Sequence, residues 1–106
     1  MKSARIEPDA ESELREAALW YKERSPDVAR RFLKEARAVA RAIAHRPLRF
    51  PELVEPSLVP PVRRALFPTF PYALVFIVAG DGPRILAVAH QHRLPGYWLY
   101  RLMQKP

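Results

Sequence analysis

The sequence predicts an α+β fold: an N-terminal strand, an antiparallel helical hairpin, then a three-stranded antiparallel sheet. Three observations predict it. Apolar residues recur at helical spacing between Ala10 and Ile43. A proline-rich stretch follows. Beyond it come short strand-like runs separated by Pro and Gly turns. Strands gathered behind a helix pair place the helices on one face of a largely antiparallel sheet.

Lys2 to Glu7 alternates weakly, with Ala4 and Ile6 on one side, as an edge strand does. Pro8 stops it. Asp9 then suits a helix N-cap, and Glu11 and Glu13 fall in a first turn where the helix dipole favours acids. Ala10, Leu14, Ala17, Ala18 and Tyr21 form one helical face, with Trp20 beside it. Ser25-Pro26-Asp27 opens a second helix: a good N-cap, the residue preferred at the first helical position, and an acid. Its apolar face carries Val28, Phe32, Ala36, Val39, Ala40 and Ile43, and its opposite face carries Arg30, Lys34, Arg37 and Arg41. Almost no loop separates the two helices, which predicts a hairpin.

Pro47 ends the second helix, because it disfavours helical geometry at Arg46. Residues 47–61 contain five prolines and no periodicity, and read as an extended loop. Val62 to Phe67 alternates, with Val62, Arg64 and Leu66 on one side and Arg63, Ala65 and Phe67 on the other. Tyr72 to Ala79 is apolar throughout, as a central strand buried on both faces is. Gly80-Asp81-Gly82-Pro83 is a hairpin turn signal, and Arg84 to Gln91 is the last strand. The tail, about 94–106, holds Pro95-Gly96 and an amphipathic stub, YWLYRLM.

A chain of 106 residues makes one domain with a single modest core. Without cysteine there are no disulfides and no thiolate metal sites. No run reaches the roughly 18 apolar residues that a membrane span needs, so no membrane partner is expected and a cytoplasmic protein is the default. The net charge is +7. Residues 1–55 hold 12 basic and 10 acidic groups, whereas residues 56–106 hold 6 and 1. The C-terminal half is therefore the electropositive half by count, which favours phosphates or an acidic protein.

SPDVARRFLKEARAVARAIAHRP resembles the second helix of the RelE/ParE superfamily of type II toxin–antitoxin toxins. FPYALVFIV is similar to its central strand. ILAVAHQHRLPGYW is similar to its final strand, and Val88, His90, Arg93 and Pro95 fall on the V-x-H-x-x-R-x-P ending of ParE-like members. The likeness runs in order over nearly the whole chain. It implies a growth inhibitor neutralised by a cognate antitoxin encoded beside it, as a toxin–antitoxin hetero-oligomer. The ParE-like branch acts on DNA gyrase, and the RelE-like branch cuts mRNA on the ribosome. The two share a fold, so fold does not choose between them.

A RelE-type cut needs a base for the ribose 2′-OH, an acid for the leaving oxygen and cations for the phosphate. The resemblance implies a supply from alternating basic residues on the second strand, an Arg after the central-strand Tyr, an Arg after the last strand, and a tail Tyr. Arg64, Arg93, and Tyr97 or Tyr100 fit such roles. Leu66 and Ala73 stand where two further cations belong, which favours the ParE-like branch. His90 and His92 keep acid–base chemistry open, since residues i and i+2 of a strand share a side and both rings could meet Arg64. The plainer reading is that His90 ends a strand with its ring hydrogen-bonded and His92 is solvated. No metal and no cofactor is expected, because zinc needs more ligands than His-x-His supplies. Candidate partner- or target-binding residues are Arg63, Arg64, Tyr72, His90, Arg93, Tyr97, Trp98, Tyr100 and Arg101. A non-toxic interaction module of the same fold is a third reading.

Overall fold

A computed structural model describes residues 3–53 and 59–103. Strand β1 (Arg5–Ile6) leads into helix α1 (Pro8–Arg24) and helix α2 (Pro26–His45). A single 3-10 turn at Pro47–Arg49 follows, then β2 (Val62–Leu66), β3 (Tyr72–Ala79) and β4 (Gly82–His90), and a 3-10 tail segment at Leu99–Met103. The sheet order is β1-β4-β3-β2. The three later strands pair antiparallel, and β1 pairs parallel to β4. The α+β class and the element order agree with the sequence reading.

Local chemistry explains the boundaries. Pro8 is the first helical residue and not only a strand stop, so the N-cap is Glu7 and not Asp9. A proline at this place loses nothing, because its missing N–H has no intrahelical partner. Asp9 is thereby freed to meet the tail. Ser25 alone joins the helices. Its backbone N–H donates to the Tyr21 carbonyl, closing α1, and its Oγ accepts from the Val28 N–H at 3.4 Å, opening α2. Among the described residues, those of the proline-rich segment do more than connect. Glu52 bridges Arg63, and the Leu53 N–H donates to the Val62 carbonyl at 2.7 Å, so this segment covers part of the outer edge of β2. The central part of that loop, 54–58, lies outside the described residues.

The sheet buries both faces. Against the helices lie Ala65, Phe67, Leu74, Phe76, Ile85 and Val88, meeting Ala10, Ala17, Phe32, Ala36, Val39 and Ile43. Phe32, Ile43, Phe76 and Ile85 are fully buried, each contributing about 1.5–3 kcal/mol by leaving water. On the other face Val62, Val75, Ile77, Leu86 and Ala87 are covered by Trp98, with Leu53, Tyr97 and Leu102 around it. The tail is thus the lid of a second, smaller core.

The β3–β4 register carries one irregularity. Val75 opposes Ala87 and Phe76 opposes Ile85, so Leu86 is an extra residue. Leu86 and Ala87 consequently both belong to the tail-side core, and Val88 returns to the helix side. Such a bulge reverses the in–out alternation of everything beyond it.

Candidate functional site

The bulge decides where the histidines go. His90 opposes Tyr72 in register, and the two rings meet edge to face at 5.0 Å on the helix side of the sheet. Arg64 opposes Val75 on the tail side. The His90 ring thus packs on Tyr72 and not beside Arg64, although His90 also borders the tail-side groove that Arg64 lines. His92 lies past the end of β4. Its backbone N–H donates to His90 Nδ1 at 3.0 Å, and the two rings sit 5.0 Å apart.

On the helix side a groove of about 610 Å³ runs between α1 and the paired ends of β3 and β4. Glu13, Glu16, Trp20 and Tyr21 form one wall, and Pro71, Tyr72, His90 and Arg93 the other. Helical spacing brings Glu13, Glu16 and Trp20 to one flank of α1. Tyr21 is held by Phe32 and Phe70 at ring separations of 5.2 and 5.1 Å. Burial raises the Tyr72 phenol above its ordinary value, with the Tyr21 phenol adding to the effect. Trp20 is half exposed at the rim, with the Arg24 guanidinium 3.5 Å from its ring centroid.

On the tail side a smaller groove of about 210 Å³ is lined by Arg64, Leu66, Ala73, Ala89, Tyr97 and Trp98 among others. Leu66 and Ala73 are direct cross-strand partners. Arg64 is exposed above this apolar floor. Arg93 lies over the Tyr97 ring at 3.9 Å from its centroid, a cation–π contact that fixes the turn after β4.

Most of the remaining candidates are held internally. Arg63 donates to the Phe50 carbonyl at 2.7 Å and to Glu52 at 3.3 Å, so it tethers the proline-rich segment. Trp98 is 4% exposed. The Tyr100 hydroxyl donates to Asp9 at 3.2 Å. The Tyr97 hydroxyl donates to Glu13 Oε2 at 2.7 Å. Burial raises the Tyr97 phenol well above its ordinary value, and the adjacent Glu13 adds to it, more than Arg101 and Arg93 offset. Arg101, 8% exposed, donates to both oxygens of Glu13 at 2.8 and 3.1 Å and to the Leu86 carbonyl at 2.9 Å. Burial alone would lower its affinity for the proton, but the hydrogen bonds and charge of Glu13 reverse that.

Glu13 is the residue that the sequence reading passed over. Besides Tyr97 and Arg101 it accepts the Val88 N–H at 2.9 Å. β1 pairs with β4 only at Arg84 and Ile85, so Val88 has no strand beyond it on that edge. Glu13 and Arg101 thus satisfy the polar edge that β1 leaves open. A signal was present: Glu13 lies three residues after Ala10 and four before Ala17, both buried. A carboxylate on an inward flank requires a partner.

Among the described residues no group of three or more His, Asp or Glu has the geometry to hold a metal. No helix there is long and apolar enough to cross a membrane. The model of the family described as "ParE toxin of type II toxin-antitoxin system, parDE" matches residues 4–95. No curated protein matches the chain.

Proposed function

Because the chain belongs to the ParE toxin family of type II toxin–antitoxin systems, we propose that it acts by binding DNA gyrase and not by cutting mRNA, and that a cognate antitoxin holds it inactive. The observation that carries this reading is the tail-side groove. Leu66 and Ala73, the two places where the nuclease branch would put cations, face each other across β2 and β3. Among the described residues that line it, Arg64 and Arg93 are the arginines left to meet a phosphate; Arg93 is stacked on Tyr97, and His90, which also borders the groove, packs its ring on Tyr72. Both tail phenols donate to carboxylates, so neither is poised as an acid. A cleavage transition state in this groove would lack its charge stabilisation.

The antitoxin has two routes onto such a fold: extending a sheet edge or laying an apolar segment in a groove. The edge of β4 is occupied at Leu86 and Val88 by Arg101 and Glu13. The edge of β2 is covered at Val62 and Arg64 by Leu53 and Pro51. These contacts favour the groove between α1 and the β3–β4 end, with Trp20, Tyr72 and His90 as its contact residues. Aromatic anchors of this kind dominate interface energetics.

The test pairs a gyrase supercoiling assay with an mRNA cleavage assay on ribosomes, using the purified chain and its complex with the neighbouring gene product. Inhibition of supercoiling that the neighbouring product relieves supports the reading. Cleavage of mRNA that His90→Ala and His92→Ala abolish would replace it.

A further inference from the structure

The folded chain reverses the charge distribution counted along the sequence. Among the described cations of the C-terminal half, Arg63 is paired with Glu52, Arg84 with Glu7, and Arg101 with Glu13 and Asp9. Four acids of the N-terminal half, Glu7, Asp9, Glu13 and Glu52, are spent on those pairs. Residues 30–49 meanwhile hold seven Lys and Arg and a single acid, Glu35. Glu35 is turned away: it accepts the Thr69 and Phe70 backbone N–H groups at 2.8 and 3.1 Å.

Arg30, Lys34, Arg37, Arg41 and His45 are all exposed and succeed one another at three- and four-residue steps along α2. Their line runs opposite Phe32, Ala36, Val39 and Ile43, which are buried. From Lys34 to His45 it spans about 16 Å. Asp27 pairs with Arg30. Among the described residues no acid pairs with Lys34, Arg37 or Arg41.

From this we infer that the outer face of α2 docks on the phosphate backbone of duplex DNA without reading its sequence. The inference goes beyond the toxin reading and does not rest on it. Charge complementarity supplies the attraction, and the arginine forks match phosphate oxygens. The composition of the face selects this occupant. A protein interface needs an apolar centre, yet no large exposed apolar residue lies on α2; such residues lie elsewhere, at Leu19, Trp20, Leu48 and Leu66 among others. Single strands need aromatic platforms for their bases, and this face has none. A straight helix can lie along the major groove of B-form DNA, about 12 Å wide, whereas the major groove of duplex RNA is too narrow.

The experiment measures binding of the full chain to a labelled 20-base-pair DNA by fluorescence anisotropy between 50 and 200 mM salt. The comparison proteins are the triple variant Lys34→Gln, Arg37→Gln, Arg41→Gln and, as a control, Arg64→Gln, Arg93→Gln. The α2 positions are exposed and glutamine is a good helix former; Arg64 and Arg93 are exposed as well, and circular dichroism checks that both variants are folded before the slopes are compared. Loss of three phosphate contacts lowers the salt slope by about 2.7, so over this range wild-type affinity falls about 40-fold more than that of the triple variant. The control should keep the wild-type slope. An unchanged slope in the triple variant overturns the inference, as does a lost slope in the control. Duplex RNA bound as tightly as DNA overturns it too, and so does polyglutamate displacing DNA at equal charge, which would assign the face to an acidic protein.

Discussion

Glu13 and Arg101, 88 residues apart, close a two-point ion pair across the end of the sheet, and the same two side chains take up the Val88 N–H and the Leu86 carbonyl. One contact therefore performs three tasks. It anchors α1 to β4, it holds the tail over the second core, and it fills an edge that β1 is too short to reach. Removing Glu13 strands the Val88 N–H and leaves Arg101 with the more distant Asp9, at 3.5 Å; removing Arg101 strands the Leu86 carbonyl and leaves the buried Glu13 charge without its counter-ion.

Glu13→Ala and Arg101→Ala should each destabilise the chain by about 3 kcal/mol, the usual cost of orphaning one member of a buried pair. Urea denaturation measures it. The double variant should cost clearly less than the sum of the two, because the second removal finds no partner left to strand. Arg101→Lys should recover little, since an ammonium cannot serve both carboxylate oxygens and the Leu86 carbonyl in one planar fork.

How far the sequence could be read follows from which signals are local. Ser25-Pro26 fixes the start of α2 through one side chain and one ring. The uninterrupted apolar run fixes β3, whose bounds the structure reproduces at Tyr72–Ala79. Leu86 could not be recognised as a bulge, because a run of apolar residues has no alternation to break. Without it His90 would share the tail side with Arg64, and the histidine chemistry considered from spacing would have had its geometry. Glu13's need of a partner could be read from its place on α1, but not that the partner is Arg101, because the two are joined only through the folded sheet. The charge count misled similarly, since it cannot see which acids return to which arginines.

The histidines give a direct check. His92→Ala removes an exposed ring beyond the strand and should change stability by less than about 0.5 kcal/mol. Growth inhibition on expression should be unchanged. A loss of inhibition with the fold intact would restore the chemical reading of this turn.

Acid sensitivity should appear at Glu35. Desolvation raises its affinity for a proton, but the hydrogen bonds from Thr69 and Phe70 outweigh that, and its carboxyl titrates below the ordinary value. A depressed carboxylate contributes stability above its unfolded value, about pH 4.3, and loses it as pH falls through the folded value. The unfolded state binds the proton first, so stability should fall with acid across that window. Glu35→Gln should flatten this part of a stability-against-pH curve measured by urea denaturation. An unchanged slope would show the Thr69 contact to be of no energetic consequence.

At alkaline pH the Tyr97 phenol should be the last to ionise. Burial keeps it neutral, and Glu13 disfavours a second negative charge beside it. A phenol raised in this way contributes stability below its unfolded value, about pH 10, and loses it as pH rises toward the folded value. Absorbance at the phenolate band should therefore show one of the four tyrosines resisting titration until the chain unfolds. Tyr97→Phe should abolish that late step.

Trp20 tests the groove itself. It stands half exposed at the rim, braced by Arg24 and edge-on to Tyr21, whereas Trp98 is buried under the tail. A quencher in solution should reach Trp20 and spare Trp98, which the tail itself presses into the second core, so the quenchable part of the fluorescence belongs to the groove. Binding of the antitoxin there should abolish quenching. Trp20→Ala should weaken the complex by about 2 kcal/mol, roughly 30-fold, as loss of an aromatic anchor does. Its effect on folding should be small, because the ring contributes to neither core. If the complex forms with unchanged affinity and Trp20 remains quenchable within it, the antitoxin docks elsewhere. The β4 edge would then be its place, and binding there would have to displace Arg101 from Glu13. In that case Arg101→Ala, although destabilised, should bind the antitoxin more tightly than the wild type.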